Sequence, residues 1–86
     1  MMIQVQLFAR ARELAGSGDI RLQLRERATV HDLRSSLVQA LPVLGSLAQK
    51  AAISVDNEFA DDSTPLTEQS VVALIPPVSG GDSKVR

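Results

Sequence analysis

The sequence contains no cysteine, tryptophan or tyrosine, and its only histidine is His31. Without cysteine there are no disulfides, thiolate nucleophiles or cysteine-based metal sites, and one histidine cannot form a zinc site alone. Asp61 and Asp62 are adjacent carboxylates with no third ligand beside them, which is a poor arrangement for a metal ion. We therefore expect neither a metal nor a bound cofactor.

Aromatic side chains and excess charge are also scarce. Phe8 and Phe59 are the only aromatic residues, and the formal net charge is -1 at pH 7. Nucleic-acid partners are disfavoured because the chain offers neither a stacking surface nor a cationic footprint for phosphates. No apolar run approaches the roughly 20 residues that a membrane span needs, and the alternating N-terminus is unlike a signal peptide. The sequence predicts a cytoplasmic domain without nucleic-acid or membrane partners.

The first third of the chain predicts two paired strands. Residues 2–8 and 20–24 alternate between apolar and polar side chains, which is typical of strands with one buried face. Residues 9–14 between them predict an irregular or helical turn, ended by Gly16-Ser17-Gly18. A connection this short favours antiparallel pairing of the two strands.

The clearest helix is predicted to begin at Thr29, with Asp32 in the position of a capping box. Pro42 disfavours helical geometry at the residue before it, so the helix should end at Leu41 or just earlier. Residues 43–50 could form a second, short helix. The apolar stripe of the main helix comprises Val30, Leu33, Leu37, Val38 and Leu41.

The second half of the chain predicts three further strands. Residues 51–55 and 58–60 flank an Asp-Asn turn, as in a hairpin. Residues 71–75 are apolar without alternation, which indicates a central strand beside the first one, with Val71, Leu74 and Ile75 in the core. Residues 1–75 are thus predicted to form one α+β domain of the β-grasp (ubiquitin-like) kind. In this roll, a mixed sheet of four or five strands packs on one main helix.

Residues 76–81, Pro-Pro-Val-Ser-Gly-Gly, are predicted to form an extended arm. Pro76 and Pro77 cannot donate to a β-ladder, so they end the strand and stiffen the chain that follows. The arm could span roughly 20 Å, and the absence of side chains at Gly80 and Gly81 would let its tip enter a narrow channel in a partner. On these features alone, a flexible C-terminus without a function is an equal alternative.

The arm and several upstream segments together resemble the small subunit of molybdopterin synthase (MoaD), one of the ubiquitin-like sulfur carriers. The resemblance covers residues 2–81. It implies a sulfur carrier for molybdopterin (molybdenum cofactor) biosynthesis, not an enzyme that acts alone. The matching segments are Phe8-Ala9-Arg10-Ala11-Arg12-Glu13-Leu14-Ala15-Gly16, Thr29-Val30, Pro65-Leu66-Thr67, Val72-Ala73 and Pro76-Pro77-Val78-Ser79-Gly80-Gly81.

The resemblance also implies a chemical role for the arm. The carboxylate of Gly81 would be adenylated by an ATP-dependent partner of the ubiquitin-activating type and then converted to a thiocarboxylate. The arm would next enter the large subunit of molybdopterin synthase, where the sulfur passes to cyclic pyranopterin monophosphate. Gly80 would keep the channel clear, and ATP would be used by the activating partner. The remaining partner-binding residues implied are Pro76, Pro77, Val78 and Ser79.

Residues 82–86 depart from the family pattern. An amide carbonyl at Gly81 has no free oxygen to attack ATP, and Lys84, Val85 and Arg86 are too bulky for a glycine-sized channel. Three explanations compete: removal by a processing protease, an addition from cloning, or a carrier fold that no longer carries sulfur. We favour the first and expect this extension to be either removed or disordered.

A second departure lies in the turn before the last strand, where the family usually has Gly-Asp and this chain has Gln69-Ser70. A left-handed backbone at Gln69 would cost about 1–2 kcal/mol, unless the turn itself differs. Asp56 also stands where the family tends to have asparagine.

Two other functions stay open at this point. One is a β-grasp interaction module that binds through its body and is never conjugated. The other is a sulfur carrier of another pathway, of the thiamine or cysteine type. The Pro-Pro-Val-Ser-Gly-Gly tail favours molybdopterin, but it does not identify the sulfur acceptor.

Overall fold

The computed structural model describes residues 1–76. Strand β1 (Met2–Leu7) pairs antiparallel with β2 (Asp19–Gln23), and helix α1 (Ala9–Ala15) connects them. Helix α1 ends at Gly16, whose φ of 72° is left-handed and whose N–H donates to the carbonyl of Arg12. Glycine adopts this conformation without the steric cost of a Cβ atom. The two predicted strands and their antiparallel pairing are confirmed.

Helix α2 (Val30–Ala40) is the main helix, and it ends before Leu41, as the following proline predicts. Its buried side chains belong to the same core cluster as the inward side chains of β1 and β2. A single 3-10 turn at Pro42–Leu44 leads into the short helix α3 (Gly45–Lys50). The second, short helix that the sequence suggested is therefore present.

Strands β3 (Ala52–Val55) and β4 (Glu58–Ala60) form a β-hairpin with a two-residue turn. Asp56 and Asn57 both have positive φ, of 54° and 69°. Asparagine and aspartate tolerate this geometry, which matches the twist of the strands in a tight hairpin. The predicted hairpin is confirmed.

Strand β5 (Val72–Ile75) occupies the centre of the sheet, whose strand order is β2-β1-β5-β3-β4. It runs parallel to β1 and antiparallel to β3. This mixed five-stranded sheet, packed on one main helix, confirms the predicted α+β, β-grasp architecture. It also confirms that the last strand lies at the centre of the sheet, beside the first strand.

The two faces of β5 differ in their environment. Val72 and Leu74 are buried in the core. On the opposite face Ala73 is also buried, but Ile75 is 37 % exposed, and Val71, which precedes the strand, is 52 % exposed. The prediction that Val71 and Ile75 are core residues is wrong, whereas the prediction for Leu74 is confirmed. The helices cover only one face of the sheet, and an apolar run on a strand does not require cover on both sides.

The turn before β5 is also different from the family pattern. The N–H of Thr67 donates to Ser70 Oγ at 3.0 Å, and the N–H of Ser70 donates to the Thr67 carbonyl at 3.0 Å. The backbone φ of Gln69 is not positive. Side-chain hydrogen bonds therefore close this turn without the left-handed backbone that a Gly-Asp pair would supply.

Within residues 1–76, no helix is both long enough and apolar enough to cross a membrane.

Candidate functional site

The predicted arm leaves the domain at the end of the central strand. Pro76 follows β5 directly, and its side chain is buried. The chain is thus anchored in the body up to Pro76. Pro77, Val78, Ser79, Gly80 and Gly81, the other residues of the predicted site, lie outside the described residues together with residues 82–86. The roles assigned to them stay predictions.

The sheet face that the helices leave uncovered, here called the open face, is apolar next to Pro76. Ala52 pairs with Ile75, and Leu7 pairs with Leu74, which places Phe8 beside Ile75 in the parallel register. Ala73, Ser54 and Phe59 form the next cross-strand row. We call the apolar members of these two rows the apolar end: Phe8, Ala52, Phe59, Ala73 and Ile75.

Three members of the apolar end, Phe8, Phe59 and Ile75, are exposed, whereas Ala73 between them is buried. Phe8 is 44 % exposed and Phe59 is 78 % exposed. A contiguous exposed apolar surface is typical of a protein-binding site. The structure therefore places a candidate docking surface beside Pro76.

The other end of the open face is more polar. A depression of about 470 Å³ lies there, between β1, β2 and the turn before β5. Gln4 Nε2 donates to Asp19 Oδ2 at 2.7 Å, and Arg21 and Glu68 contribute opposite charges to the lining. Its lining residues include neither histidine nor cysteine.

Charge is divided unevenly between the two parts of the described chain. Residues 51–76 contain five carboxylates and no lysine, arginine or histidine. Asp56 and Glu58 belong to the hairpin that presents Phe59, and both are exposed. A partner with an apolar surface and a basic rim would complement this region. The absence of basic residues was visible in the sequence and could have indicated an acidic rim.

Asp61 and Asp62 do not form a paired-carboxylate site. Asp61 Oδ1 accepts the hydroxyl of Ser63 at 2.7 Å and its N–H at 3.1 Å, and these hydrogen bonds lower the pKa of Asp61. Asp62 binds Arg34 at 2.9 Å and lies 3.9 Å from His31 Nδ1. In the part of the chain that the structure describes, no group of three or more acidic or histidine side chains could hold a metal ion. These two carboxylates are structural.

One protein family matches most of this chain. The model of the ThiS family matches residues 5–81, which is most of the chain. The chain belongs to the ThiS family. The match ends at Gly81, so residues 82–86 lie beyond the segment shared with the family.

Relatives of this ThiS-family chain include a sulfur carrier. The molybdopterin synthase sulfur carrier subunit of Arabidopsis thaliana is 35 % identical over 79 residues, covering 92 % of this chain and 82 % of its own. The crystal structure of SAMP1 from Haloferax volcanii is similar with a TM-score of 0.83 and 30 % identity. That match covers 94 % of this chain and 100 % of SAMP1.

A third similar structure contains two proteins. It is the complex of subunits 1 and 2 of the molybdopterin-converting factor from Helicobacter pylori, with a TM-score of 0.67 and 26 % identity. The match covers 94 % of this chain and 100 % of the matched chain. In that bacterium, a protein of this shape is thus part of a two-subunit assembly.

Proposed function

We propose that this ThiS-family chain is the sulfur carrier subunit of a molybdopterin synthase. The observation that supports this most directly is its 35 % identity, over nearly the whole chain, to a molybdopterin synthase sulfur carrier subunit. The chain is not a catalyst by itself. It supplies the sulfur that its partner transfers to the pterin precursor.

The reacting group in this proposal is the carboxylate of Gly81. One of its oxygens attacks the α-phosphorus of ATP, pyrophosphate leaves, and an acyl adenylate forms. A sulfide-level sulfur nucleophile from a donor then attacks the carbonyl carbon of Gly81, AMP leaves with the bonding electron pair, and the thiocarboxylate forms. An adenylating enzyme of the ubiquitin-activating type binds the ATP, so this chain needs no bound cofactor.

The body provides the docking surface in this proposal. The large subunit covers the apolar end of the open face, and the arm beyond Pro76 extends into the large subunit. The Helicobacter pylori complex supports a large-subunit partner, because it contains both subunits of the converting factor. Burying Phe8 and Ile75, which are both partly exposed, stabilises such a complex by roughly 25 cal/mol for each Å² of apolar surface removed from water.

The proposal includes a processing step. A protease in the cytoplasm removes residues 82–86, because only a free carboxylate at Gly81 can attack ATP. The family match, which ends at Gly81, supports this cleavage position.

Mass spectrometry of the protein isolated from its native cells tests the proposal. Cells that produce molybdenum cofactor should contain a species ending at Gly81, and a second species heavier by the mass difference between sulfur and oxygen. Finding only the full-length chain under these conditions would contradict it. The control is the same measurement on cells that lack the large subunit, where the sulfur-containing species should accumulate.

A second candidate is an interaction module that binds a partner through its body and is never activated. The exposed apolar end favours it, because that surface alone could bind a protein. Pull-down with residues 1–77 tests this second candidate, which predicts that the partner stays bound with the full affinity of the intact chain, and loss of all binding would reject it. Activity separates the two functions, because the carrier requires the arm for activation and sulfur transfer, whereas the interaction module does not.

A further inference from the structure

Strand β2 lies at one edge of the five-stranded sheet, and within residues 1–76 no strand pairs with its outer side. Its pairing with β1 shows which backbone groups face outward. The N–H of Leu24 donates to the Met1 carbonyl at 2.7 Å, and the N–H of Leu7 donates to the Gly18 carbonyl at 2.8 Å. Hydrogen-bonded pairs alternate along an antiparallel ladder, so the even-numbered residues of β2 bond to β1. The backbone N–H and carbonyl groups of its odd-numbered residues therefore point away from the sheet.

Two of the three outward-facing residues have free backbone groups. Ser17 Oγ accepts a hydrogen bond from the N–H of Asp19 at 3.3 Å and donates one to its carbonyl at 2.8 Å, which closes the start of the edge. In the part of the chain that the structure describes, the backbone groups of Arg21 and Gln23 have no such partner. Two donors and two acceptors in this arrangement are what an added antiparallel strand pairs with.

A groove of about 370 Å³ borders this edge on the side of helix α2. Its lining residues are Arg21, Leu22, Gln23, Ser36, Gln39 and Ala40. Successive side chains of a strand point to opposite faces, so every second side chain of an added strand would enter the groove. Ser36 and Ala40 are small and leave room for a short apolar side chain such as valine.

The charge at this edge favours an acidic occupant. Arg21 is exposed, is the one charged residue of the lining, and forms no ion pair within residues 1–76. A second guanidinium lies at the start of the strand, where a Cβ atom on Gly18 would be 3.5 Å from Arg12 Cζ. The Asp19 carboxylate accepts a hydrogen bond from Gln4 Nε2 at 2.7 Å. An acidic segment complements the two arginines.

Arg21 also disfavours a second copy of this chain as the occupant. It is the central residue of β2, so antiparallel pairing of two complete β2 strands would place the two Arg21 side chains opposite one another. Like charges directly opposite destabilise a pair of strands, whereas a glutamate opposite an arginine stabilises it. The edge is therefore better matched to a different, acidic strand.

We propose that the edge of β2 binds an extended acidic peptide segment of a partner protein as an additional antiparallel strand. A carboxylate of the segment lies opposite Arg21 on the open face, and the small apolar side chains on either side of it enter the groove beside α2. Strand β1 separates this site from β5, and Gln23 pairs with Met2, at the other end of β1 from Phe8. The site is thus distinct from the apolar end, and binding there does not require activation of Gly81.

The test uses the full chain labelled with ¹⁵N and a synthetic peptide, Val-Thr-Val-Glu-Val, capped at both ends. In the antiparallel register its glutamate lies opposite Arg21 and its threonine opposite Gln23. Titration followed by NMR should move the amide signals of Arg21 and Gln23 together with those of Ser36 and Ala40. If millimolar peptide moves none of these signals, the proposal is wrong.

Two N-methylated peptides of equal charge test whether the added strand forms a ladder. Methyl groups on the threonine and glutamate nitrogens block the amides that face β2, and should weaken binding at least about tenfold. Methyl groups on the last two valine nitrogens block amides that face away, and should leave affinity within about threefold. Equal losses for the two peptides would show that backbone pairing with β2 does not occur.

A charge exchange tests the role of Arg21. Replacing the glutamate of the peptide with lysine should weaken binding to the native chain about fivefold, and Arg21→Glu in the chain should restore the affinity for the lysine peptide. Absence of this rescue would contradict the proposed register. Neither measurement requires a change to the backbone of β2.

The blocking variant is Gln23→Pro, which removes an outward N–H that has no partner within the described fold. Proline is tolerated at such positions of an edge strand, and its NMR spectrum checks that the variant is folded. We expect the folded variant to lose peptide binding. Binding as tight as that of the native chain would contradict the proposal. So would a native dimer, measured by sedimentation, that Gln23→Pro converts to a monomer, because the edge would then be occupied by a second copy.

Discussion

The guanidinium of Arg34 joins the carboxylate of Asp62 to the end of helix α3. Its Nε donates to Asp62 Oδ1 at 2.9 Å, and its Nη1 donates to the carbonyl oxygens of Ala48 at 2.9 Å and Ala51 at 2.6 Å. The Arg34 side chain is only 16 % exposed. Carbonyls at a helix end have no partner within the helix, so one side chain of α2 satisfies them and binds three segments together.

Replacing Arg34 with methionine should lower the free energy of unfolding by about 2–4 kcal/mol, because it leaves these carbonyls and Asp62 without their donor. Arg34→Lys should lose less stability than Arg34→Met, because lysine retains the positive charge. It should still be less stable than the native chain, because lysine lacks the planar guanidinium that donates to several acceptors at once. Urea denaturation measures both variants. Arg10→Met is the control. It removes an exposed pair with Glu13 at 3.2 Å, and it should change stability by no more than about 0.5 kcal/mol. Equal losses in Arg34→Met and Arg10→Met would contradict the role of Arg34.

Ala9 has a φ of 52°, in the left-handed region that a side chain disfavours. Ala9→Gly should therefore raise the free energy of unfolding by about 1 kcal/mol, because relief of the backbone strain exceeds the entropy cost of glycine. The matched control is Ala40→Gly, at an exposed residue of α2 without positive φ, which should lower stability by up to about 1 kcal/mol. Thermal unfolding of the two variants should shift the midpoint in opposite directions. A downward shift in both would show that Ala9 is not strained.

Asp32 should make the stability of the protein depend on pH at the acid end. The Thr29 N–H, which donates to Asp32 Oδ2 at 2.9 Å, and the Arg25 guanidinium lower the pKa of Asp32 below 3.8. A pKa lowered by folding means that the ionised carboxylate stabilises the fold. This contribution is complete above the unfolded value and is lost as the pH falls through the lower, folded value.

The corresponding variant is Asp32→Asn. It should be less stable than the native chain at pH 7, and the difference should narrow as the pH falls below 3.8. Glu68→Gln, at an exposed residue, is the control and should differ from the native chain by no more than about 0.5 kcal/mol at either pH. Denaturant titrations at several pH values measure the two differences. If the stability difference between Asp32→Asn and the native chain did not change with pH, the Asp32 carboxylate would not be responsible for the pH dependence.

The apolar end should determine affinity for the large subunit. Phe8→Thr and Ile75→Thr each remove partly exposed apolar surface and should weaken binding about tenfold, or roughly 1–2 kcal/mol. Calorimetry with the purified large subunit measures the effect, and urea denaturation checks that each variant still folds. Gln23→Thr changes an exposed residue of the open face on β2, away from the apolar end, and should leave affinity within about twofold. If Gln23→Thr weakened binding as much as Phe8→Thr or Ile75→Thr, the interface would not be centred on the apolar end.

The strand predictions succeeded where side chains alternate. In β1, Ile3, Val5 and Leu7 are buried and their neighbours are exposed. A strand turns successive side chains to opposite faces, so this pattern allows only one inward face. Val71 and Ile75 had no such pattern. Their exposure depends on which face the helices cover, which local sequence does not specify.

The Arg34–Asp62 contact could not be predicted from the sequence. The two residues are separated by 28 positions, and each is an ordinary polar residue in its own segment. The contact exists because α2, α3 and the loop after β4 converge in the fold.

The sequence by itself determined the β-grasp order of elements and, through the Pro-Pro-Val-Ser-Gly-Gly tail, the resemblance to a sulfur carrier. Those properties depend on periodicity and on local backbone chemistry, which neighbouring residues control. Only the tertiary structure decided that Phe8 and Ile75 lie together on an open face, and that Arg34 meets Asp62 and the end of α3. Those properties depend on strand register and on which face the helices cover, because contacts between distant residues form only when the whole sheet is assembled.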